Sequence, residues 1–279
     1  MSCTSISASE CHADAGRGEI RVVRSGSRSV AARVYATSPL RLLTPRNNGH
    51  AAWIYSSTYG GGFVDGDRMA LHVDVEAGAS AMLSTQASTK VYRSPRGTSA
   101  ELRARIGCGG LLVLAPDPVV CFAGSRYEQR QLVELDDGAG IVLIDWITSG
   151  RHASGERWAF SEYRSELVVE RWHRTVVHDV LALRATDGDL ARRVDRFNVL
   201  ALVVVVGEPL RAAALDIVAR ADADPVVSRA DHLIAATPVD DGCVVRIAGT
   251  SFEQVADAVR GYLAFLPTLL GDSPWSRKW

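Results

Sequence analysis

From Glu19 to about Val206 the chain alternates apolar and polar residues with a period of two, the spacing that turns successive side chains to opposite faces of a sheet. Arg68 to Glu76 shows it most cleanly. Met69, Leu71, Val73 and Val75 point to a core, while Arg68, His72, Asp74 and Glu76 point to water, so His72 reads as a solvated position. Similar strands are expected at Ile20 to Arg24, Ser29 to Tyr35, Ala51 to Ser56, Ala81 to Thr85, Ala100 to Ile106, Leu111 to Ala115, Tyr127 to Leu135, Ile141 to Thr148 and Glu166 to Glu170. Many short strands parted by Gly, Pro and Asp predict a sandwich, barrel or solenoid of antiparallel character. No fixed-period repeat is visible, which weighs against a regular solenoid. The apolar run VLALVVVV, Val199 to Val206, reads as a buried strand, since crossing a bilayer as helix takes about 20 apolar residues.

The last third changes period. Leu210, Ala214, Ile217 and Ala221 recur at helical spacing within Glu208 to Ala221, with Pro209 suited to a first turn. After a hairpin near Asp241-Gly242, Thr250 or Ser251 can cap a second helix and Glu253 or Gln254 can complete a capping box. Its apolar face is Phe252, Val255, Val259, Tyr262, Leu263 and Leu266, and Pro267 is expected to end it. The expected organisation is a loose tail over residues 1–18 and one β-rich domain over 19–279. In the tail, Cys3, Cys11 and His12 lack the paired short spacings of a structural zinc site.

With 31 basic and 32 acidic residues the net charge is -1, so no global field attracts nucleic acid or anionic lipid. Five cysteines without close, even spacing fit a reducing cytoplasm better than a disulfide framework, and the N-terminus lacks the basic and apolar regions of an export signal.

Standard catalytic signatures are missing: there is no P-loop, HExxH or GxSxG, and Gly60-Gly61-Gly62 precedes Phe63 and a strand, not a helix that could receive phosphate. His173 and His178, five apart, fall on opposite faces of a strand. What stands out is a set of polar residues in or beside apolar strands: Asp67, Thr85, Gln86, Thr89, Lys90, Asp145 and Glu156. Asp145 interrupts IVLIDWI, where Val142, Ile144 and Trp146 share one face and Leu143, Asp145 and Ile147 the other. A buried carboxylate needs a partner. Two readings stay open, a salt bridge to Lys90, Arg93 or Arg151, and a polar, water-filled passage.

Several blocks in order resemble the UreD (UreH) type of urease accessory protein: SPLRLLTP (38–45), GGGFVDGDRM (60–69), LSTQASTKVYRSPRG (83–97), LAPDPVVCFAGSRY (114–127) and VLIDWITSGRHASGERWAF (142–160). Departures are Ala115-Pro116-Asp117, where that family often has Leu-Pro-Gln, and Cys121, at a commonly apolar position. The resemblance implies a mainly β protein of stacked, β-helix-like sheets with two helices in the C-terminal third. It implies a nickel-insertion chaperone without turnover of its own, working in the cytoplasm with UreF and the GTPase UreG on apo-urease, with no nucleic-acid or membrane partner.

It further implies a polar tunnel for transient Ni2+, with no tightly bound cofactor. By position, Asp67, Thr89, Asp145 and, less alike in its surroundings, Asp179 carry over as tunnel lining. Gly60, Gly61, Gly62 and Gly66 would set the turn that aims Asp67. Thr85, Gln86, Lys90, Tyr92, Arg93, Gly150, Arg151 and Glu156 would support the carboxylates or form an interface. Trp158, Trp172 and Trp275 are expected on exposed partner surface. The competing reading is a metal-dependent hydrolase using Asp67, Asp145, His152 and Glu156.

Overall fold

The computed structural model describes residues 16–46, 49–224 and 226–276. Cys3, Cys11 and His12 lie outside the described residues. Gly16, Arg17 and Gly18, assigned to the tail by composition, already belong to the first strand.

Along the chain, β1 (Gly16–Ser25) and β2 (Arg28–Ala36) form a hairpin in one sheet, and β3 (Leu40–Leu43) and β4 (Ala52–Thr58) pair in a second. The chain then coils. β5 (Arg68–Val75) lies in the first sheet, β6 (Ser80–Thr85) in the second, and β7 (Thr89–Val91) on a short third side. β8 (Thr98–Ile106), β9 (Leu111–Leu114) and β10 (Val119–Cys121) repeat that path, and β11 (Arg126–Leu135) and β12 (Gly140–Thr148) begin it again. β13 (Glu162–Arg171) and β14 (Arg174–Arg184) close the first sheet; β15 (Val199–Gly207), β16 (His232–Val239) and β17 (Gly242–Gly249) close the second.

Within the coil every neighbour is parallel, as in β1, β5, β8, β11 and β13, and in β4, β6, β9 and β12. Antiparallel pairing is confined to the two ends of the stack, which corrects the expected antiparallel character. Alternation reports which face is buried and is silent on strand direction; that depends on whether strands are joined by a hairpin or by a crossover through the other sheet. A repeat is also present in space. Ala52 lies beside Ala81, Ala81 beside Leu112 and Leu112 beside Ile141, steps of 29, 31 and 29 residues. Most residue types at stacked positions differ, so the repeat is not visible in the sequence.

Between the sheets Ile20, Val22, Val73, Val75, Ile106, Val133 and Val169 meet Ile54, Leu83, Leu112, Ile141, Leu143 and Val204. The second sheet is buried on its other face too, where Trp53, Met82, Val113, Val142, Ile144, Val203 and Val245 pack under the helices. That double burial is why β15 is apolar at every position. The outer face of the first sheet is solvated and carries exposed cross-strand pairs such as Arg33 with Glu19 at 2.7 Å and Arg164 with Glu128 at 3.0 Å. Each contributes under about 1 kcal/mol.

The two expected helices are present and bury their predicted faces; two five-residue helices, α1 (Leu190–Val194) and the last below, join them. α2 (Arg211–Ala223) buries Ala214, Ile217 and Ala221, and α3 (Phe252–Tyr262) buries Val255, Val259 and Tyr262. The Ser251 side chain caps α3 by accepting the Gln254 N–H at 3.3 Å. Ser251→Ala is expected to cost about 1 kcal/mol, read as a lower urea midpoint at unchanged slope. Pro267 sits in the first turn of α4 (Leu266–Leu270), where its missing N–H is no loss. No described helix is long and apolar enough to cross a membrane.

Of the three tryptophans expected on exposed surface, Trp172 is 71% exposed, Trp275 is half-buried against the helix-side core, and Trp158 is only 3% exposed. Trp158 packs edge-on to Phe160 and donates its indole N–H to the Phe197 carbonyl at 3.0 Å, so its polar atom is satisfied inside.

Candidate functional site

A cavity of about 160 Å3 lies between the sheets at the level of β11 and β12. Its wall is largely apolar, built from residues such as Leu71, Leu83, Leu102 and Leu114, with Ser56, Ser84, Thr85, Thr89, Gln129, Gln131 and Asp145 as inserted polar groups and Glu101, Asp117 and Arg130 also lining it. The alternation read from IVLIDWI holds: Leu143 and Ile147 face the inter-sheet side with Asp145, while Val142, Ile144 and Trp146 join the helix-side core.

Among the described residues, Asp145 has neutral hydrogen-bond donors only. Gln129 Nε2 donates to its Oδ1 at 2.7 Å, the Tyr163 hydroxyl donates to the same oxygen at 3.4 Å, and the Ser165 hydroxyl donates to Oδ2. None of the three cations named as salt-bridge partners reaches it. Lys90 and Arg93 are exposed, and Arg151 pairs with Glu156 while lying 4.4 Å over the Phe122 ring. Burial therefore pushes the Asp145 carboxyl up; the bonds from Ser165, Gln129 and Tyr163 pull it part of the way back, and the negative charge of Asp179 adds to the rise. The same burial raises the phenols of Tyr127 and Tyr163.

A smaller cavity of about 80 Å3 shares Leu40, Ser56, Phe63, Met69, Thr85 and Thr89 with the first and adds Thr58, Gly61 and Ser88. Thr85 and Thr89 thus stand where the interior space continues toward the exposed glycine turn. Thr85 Oγ1 is fixed by accepting the Asp117 N–H at 2.7 Å. Gly60 and Gly61 have φ of 83° and 73°, a region glycine enters freely. Gly62 is required for space: a Cβ there would lie 2.5 Å from the Lys90 carbonyl oxygen, because the following residue pairs with β7 through Phe63 N–H to Lys90 O at 2.8 Å.

The remaining sequence candidates lie elsewhere. Asp67 turns back on its own loop, its Oδ2 accepting the Val64 N–H at 2.8 Å, and it does not line the cavity. The adjacent Asp65 is held by the Arg96 side chain at 2.8 Å, and Arg96 keeps that carboxyl below the usual range. Gln86 is exposed, and Tyr92 packs edge-on to Phe122 at 5.1 Å. Gly150 approaches the Cys121 carbonyl, and Glu156 accepts the Ala123 N–H at 3.1 Å. The Gly150 to Glu156 motif thereby pins a surface loop to the end of β10. Asp179, on β14, pairs with Arg246 of β17 across the sheets. Asp67, Asp145, His152 and Glu156 are consequently dispersed among an outer turn, the interior and a surface loop. Among the described residues no three His, Cys, Asp or Glu side chains converge as a metal site.

Gln129, Tyr163 and Ser165 were missed by reasoning from the sequence, although a signal existed. In β11 Tyr127, Gln129, Gln131, Val133 and Leu135 share the inward face, and in β13 Tyr163, Ser165, Leu167 and Val169 do. An amide and a hydroxyl on those faces mark the same level as Asp145.

The family described as UreD urease accessory protein matches residues 14–279. A protein of Sorangium cellulosum named urease accessory protein UreD is 50% identical over 266 residues, covering 95% of this chain and 85% of that one. Its counterpart in an Anaeromyxobacter species is 43% identical over 94% of this chain and 89% of its own length. Urease accessory protein D of Arabidopsis thaliana is 35% identical over 93% of this chain and 99% of its own. With nearly the whole chain matched, and with 85% and 89% of the two bacterial relatives covered, this protein belongs to the UreD family of urease accessory proteins and is an accessory protein, not an enzyme.

Proposed function

We propose that this chain works in the cytoplasm as a nickel-insertion chaperone, in a complex with UreF and the GTPase UreG that docks on apo-urease, and that Ni2+ travels through its interior past Thr89 and Asp145. The observation that carries the reading is a half-buried carboxylate on a cavity wall that, among the described residues, is bonded only to neutral donors. A charge kept so costs several kcal/mol, and an apolar residue would serve packing better. Its presence fits a cargo that arrives positively charged.

The chemistry suits transit. Oxygen donors hold a divalent transition ion more weakly than thiolates or clustered imidazoles, and the largely apolar walls between them offer few ligands. A hydrated ion can pause at Thr89 and Asp145 and leave again. In this reading Asp67, outside the cavity on the glycine-turn loop, and Asp179, paired with Arg246 further along the stack, serve the two ends of the path. Lys90, Tyr92, Arg93, Arg151 and Glu156 belong to the outer surface that meets partners.

Co-expression of a nickel urease with its accessory proteins tests this. Asp145→Ala combined with Thr89→Val should yield assembled urease with activity lowered roughly tenfold or more, as for other altered metal-contacting shells. Full activation by the double variant would remove the passage through this chain.

A further inference from the structure

The carboxamide of Gln129 is placed oddly for a merely structural group. Its Nε2 carries two hydrogens, and both are used within the cavity wall: one toward Asp145 Oδ1 at 2.7 Å, the other toward Ser165 Oγ at 2.9 Å, whose own hydrogen goes to Asp145 Oδ2, with the Tyr163 hydroxyl oxygen a longer contact at 3.4 Å. Among the described residues its Oε1 has only the Tyr127 hydroxyl, at a long 3.4 Å. The carboxylate is therefore occupied on both oxygens, while the best neutral cation ligand beside it is held with its donor end forward.

An amide oxygen and an amide nitrogen have nearly the same size, so a half-turn about the terminal bond of Gln129 needs no repacking. The turn sets Oε1 against Asp145 Oδ1, two electron-rich oxygens that repel each other. A divalent cation lying between them reverses that sign, since it attracts both oxygens and the amide becomes a second neutral ligand.

We propose that Gln129 is the gate of the passage: its amide N–H occupies Asp145 while the passage is empty, and its amide oxygen turns onto Ni2+ when the ion arrives. The proposal rests on the passage reading above and adds a residue to it. Gln129 is a positioning residue for the carboxylate when the cavity holds no ion and a transient ligand when it does. Because it is neutral, it adds no charge that would hold the ion in place. Ser165 takes part by releasing Oδ2 through rotation of its hydroxyl.

Two variants of the full chain, assayed in the complete accessory complex and as purified protein, test this with Ni2+ as the probe. Gln129→Leu keeps the volume and removes both the donor and the ligand, so nickel-dependent urease activation should fall about tenfold, with partner co-purification unchanged. Gln129→Glu sets a second carboxylate opposite Asp145. It should raise Ni2+ retained by the purified chain at equilibrium dialysis by tenfold or more, while slowing activation. The added retention should vanish in Gln129→Glu with Asp145→Asn, a readout that a purely structural glutamine would not move.

Wild-type activation by Gln129→Leu, or wild-type nickel retention by Gln129→Glu, overturns the gate. Asp145→Asn alone separates the two ideas. If it activates urease normally, the passage fails and the gate with it; if it is impaired while both Gln129 variants behave as wild type, the passage stands and the gate does not.

Discussion

Asp145→Asn is expected to make the protein more stable at neutral pH, by about 2 kcal/mol, even as it impairs urease maturation. The sign follows from linkage. The Asp145 carboxyl is raised in the folded protein, chiefly by burial, whereas in the unfolded chain it titrates near 3.9. Well below about pH 4 it is protonated in both states and carries no penalty. As pH rises through its folded value, the native state must bear a desolvated charge that the unfolded chain hydrates freely, and stability from this group is lost.

Asparagine has no charge to desolvate. It keeps one acceptor for Ser165 or Gln129, and the other partner can accept from its amide after a rotation. The difference between the two proteins in urea unfolding should then be close to zero well below about pH 4, grow as pH rises toward the folded value, and level off above it. Asp241 offers the opposite behaviour as a control. Arg171 and Arg211 hold its carboxyl below the usual range, so its contribution is present at neutral pH and is lost as pH falls through the folded value. A variant at Asp145 that is less stable at every pH would mean that the carboxylate is a structural strut. Stability gained together with function lost is the signature of a residue kept for its activity.

Gly62→Val should be the most damaging single change in the glycine turn, costing about 3 kcal/mol or more. The Lys90 carbonyl oxygen would lie 2.5 Å from its Cβ and a Tyr92 ring carbon 2.9 Å from it, and the first of these is backbone that cannot swing aside. Relief requires parting Phe63 from β7, which breaks Phe63 N–H to Lys90 O and Tyr92 N–H to Phe63 O and pulls the Phe63 ring from Tyr127, now at a centroid distance of 5.3 Å. Gly61 provides the contrast. A Cβ there meets nothing within 4 Å, and its φ of 73° alone penalises a side chain, so Gly61→Ala should cost only about 1–2 kcal/mol. Thermal melts of the two variants decide the matter; equal losses would show that the turn is limited by conformation and not by space.

Much of the fold was legible from the sequence because its signals are local. The inward set of β5, the apolar run of β15, the buried faces of α2 and α3 and the Ser251 cap all follow from spacing within one element. The face of β12 that carries Asp145 was legible for the same reason. Trp158 shows where local reading stops, since its indole is hidden by a partner carbonyl at Phe197, in a separate segment of the chain. The parallel coil was hidden as well, because strand direction is set by connections and not by composition.

By itself the sequence determined the strand and helix pattern, the ordered blocks that place the chain in its family, and the presence of one carboxylate on an inward face. Only the tertiary structure decided what that carboxylate meets. Gln129 lies 16 residues before Asp145 and Ser165 lies 20 after it, on strands of the opposite sheet. Alternation says that all three point inward, but the level at which they meet is fixed by register between strands, and a slip of two residues would leave each pattern intact while parting the three side chains. The same register leaves Lys90, Arg93 and Arg151 outside, so the carboxylate that sequence logic would pair with a cation stands among neutral groups on the wall of a cavity.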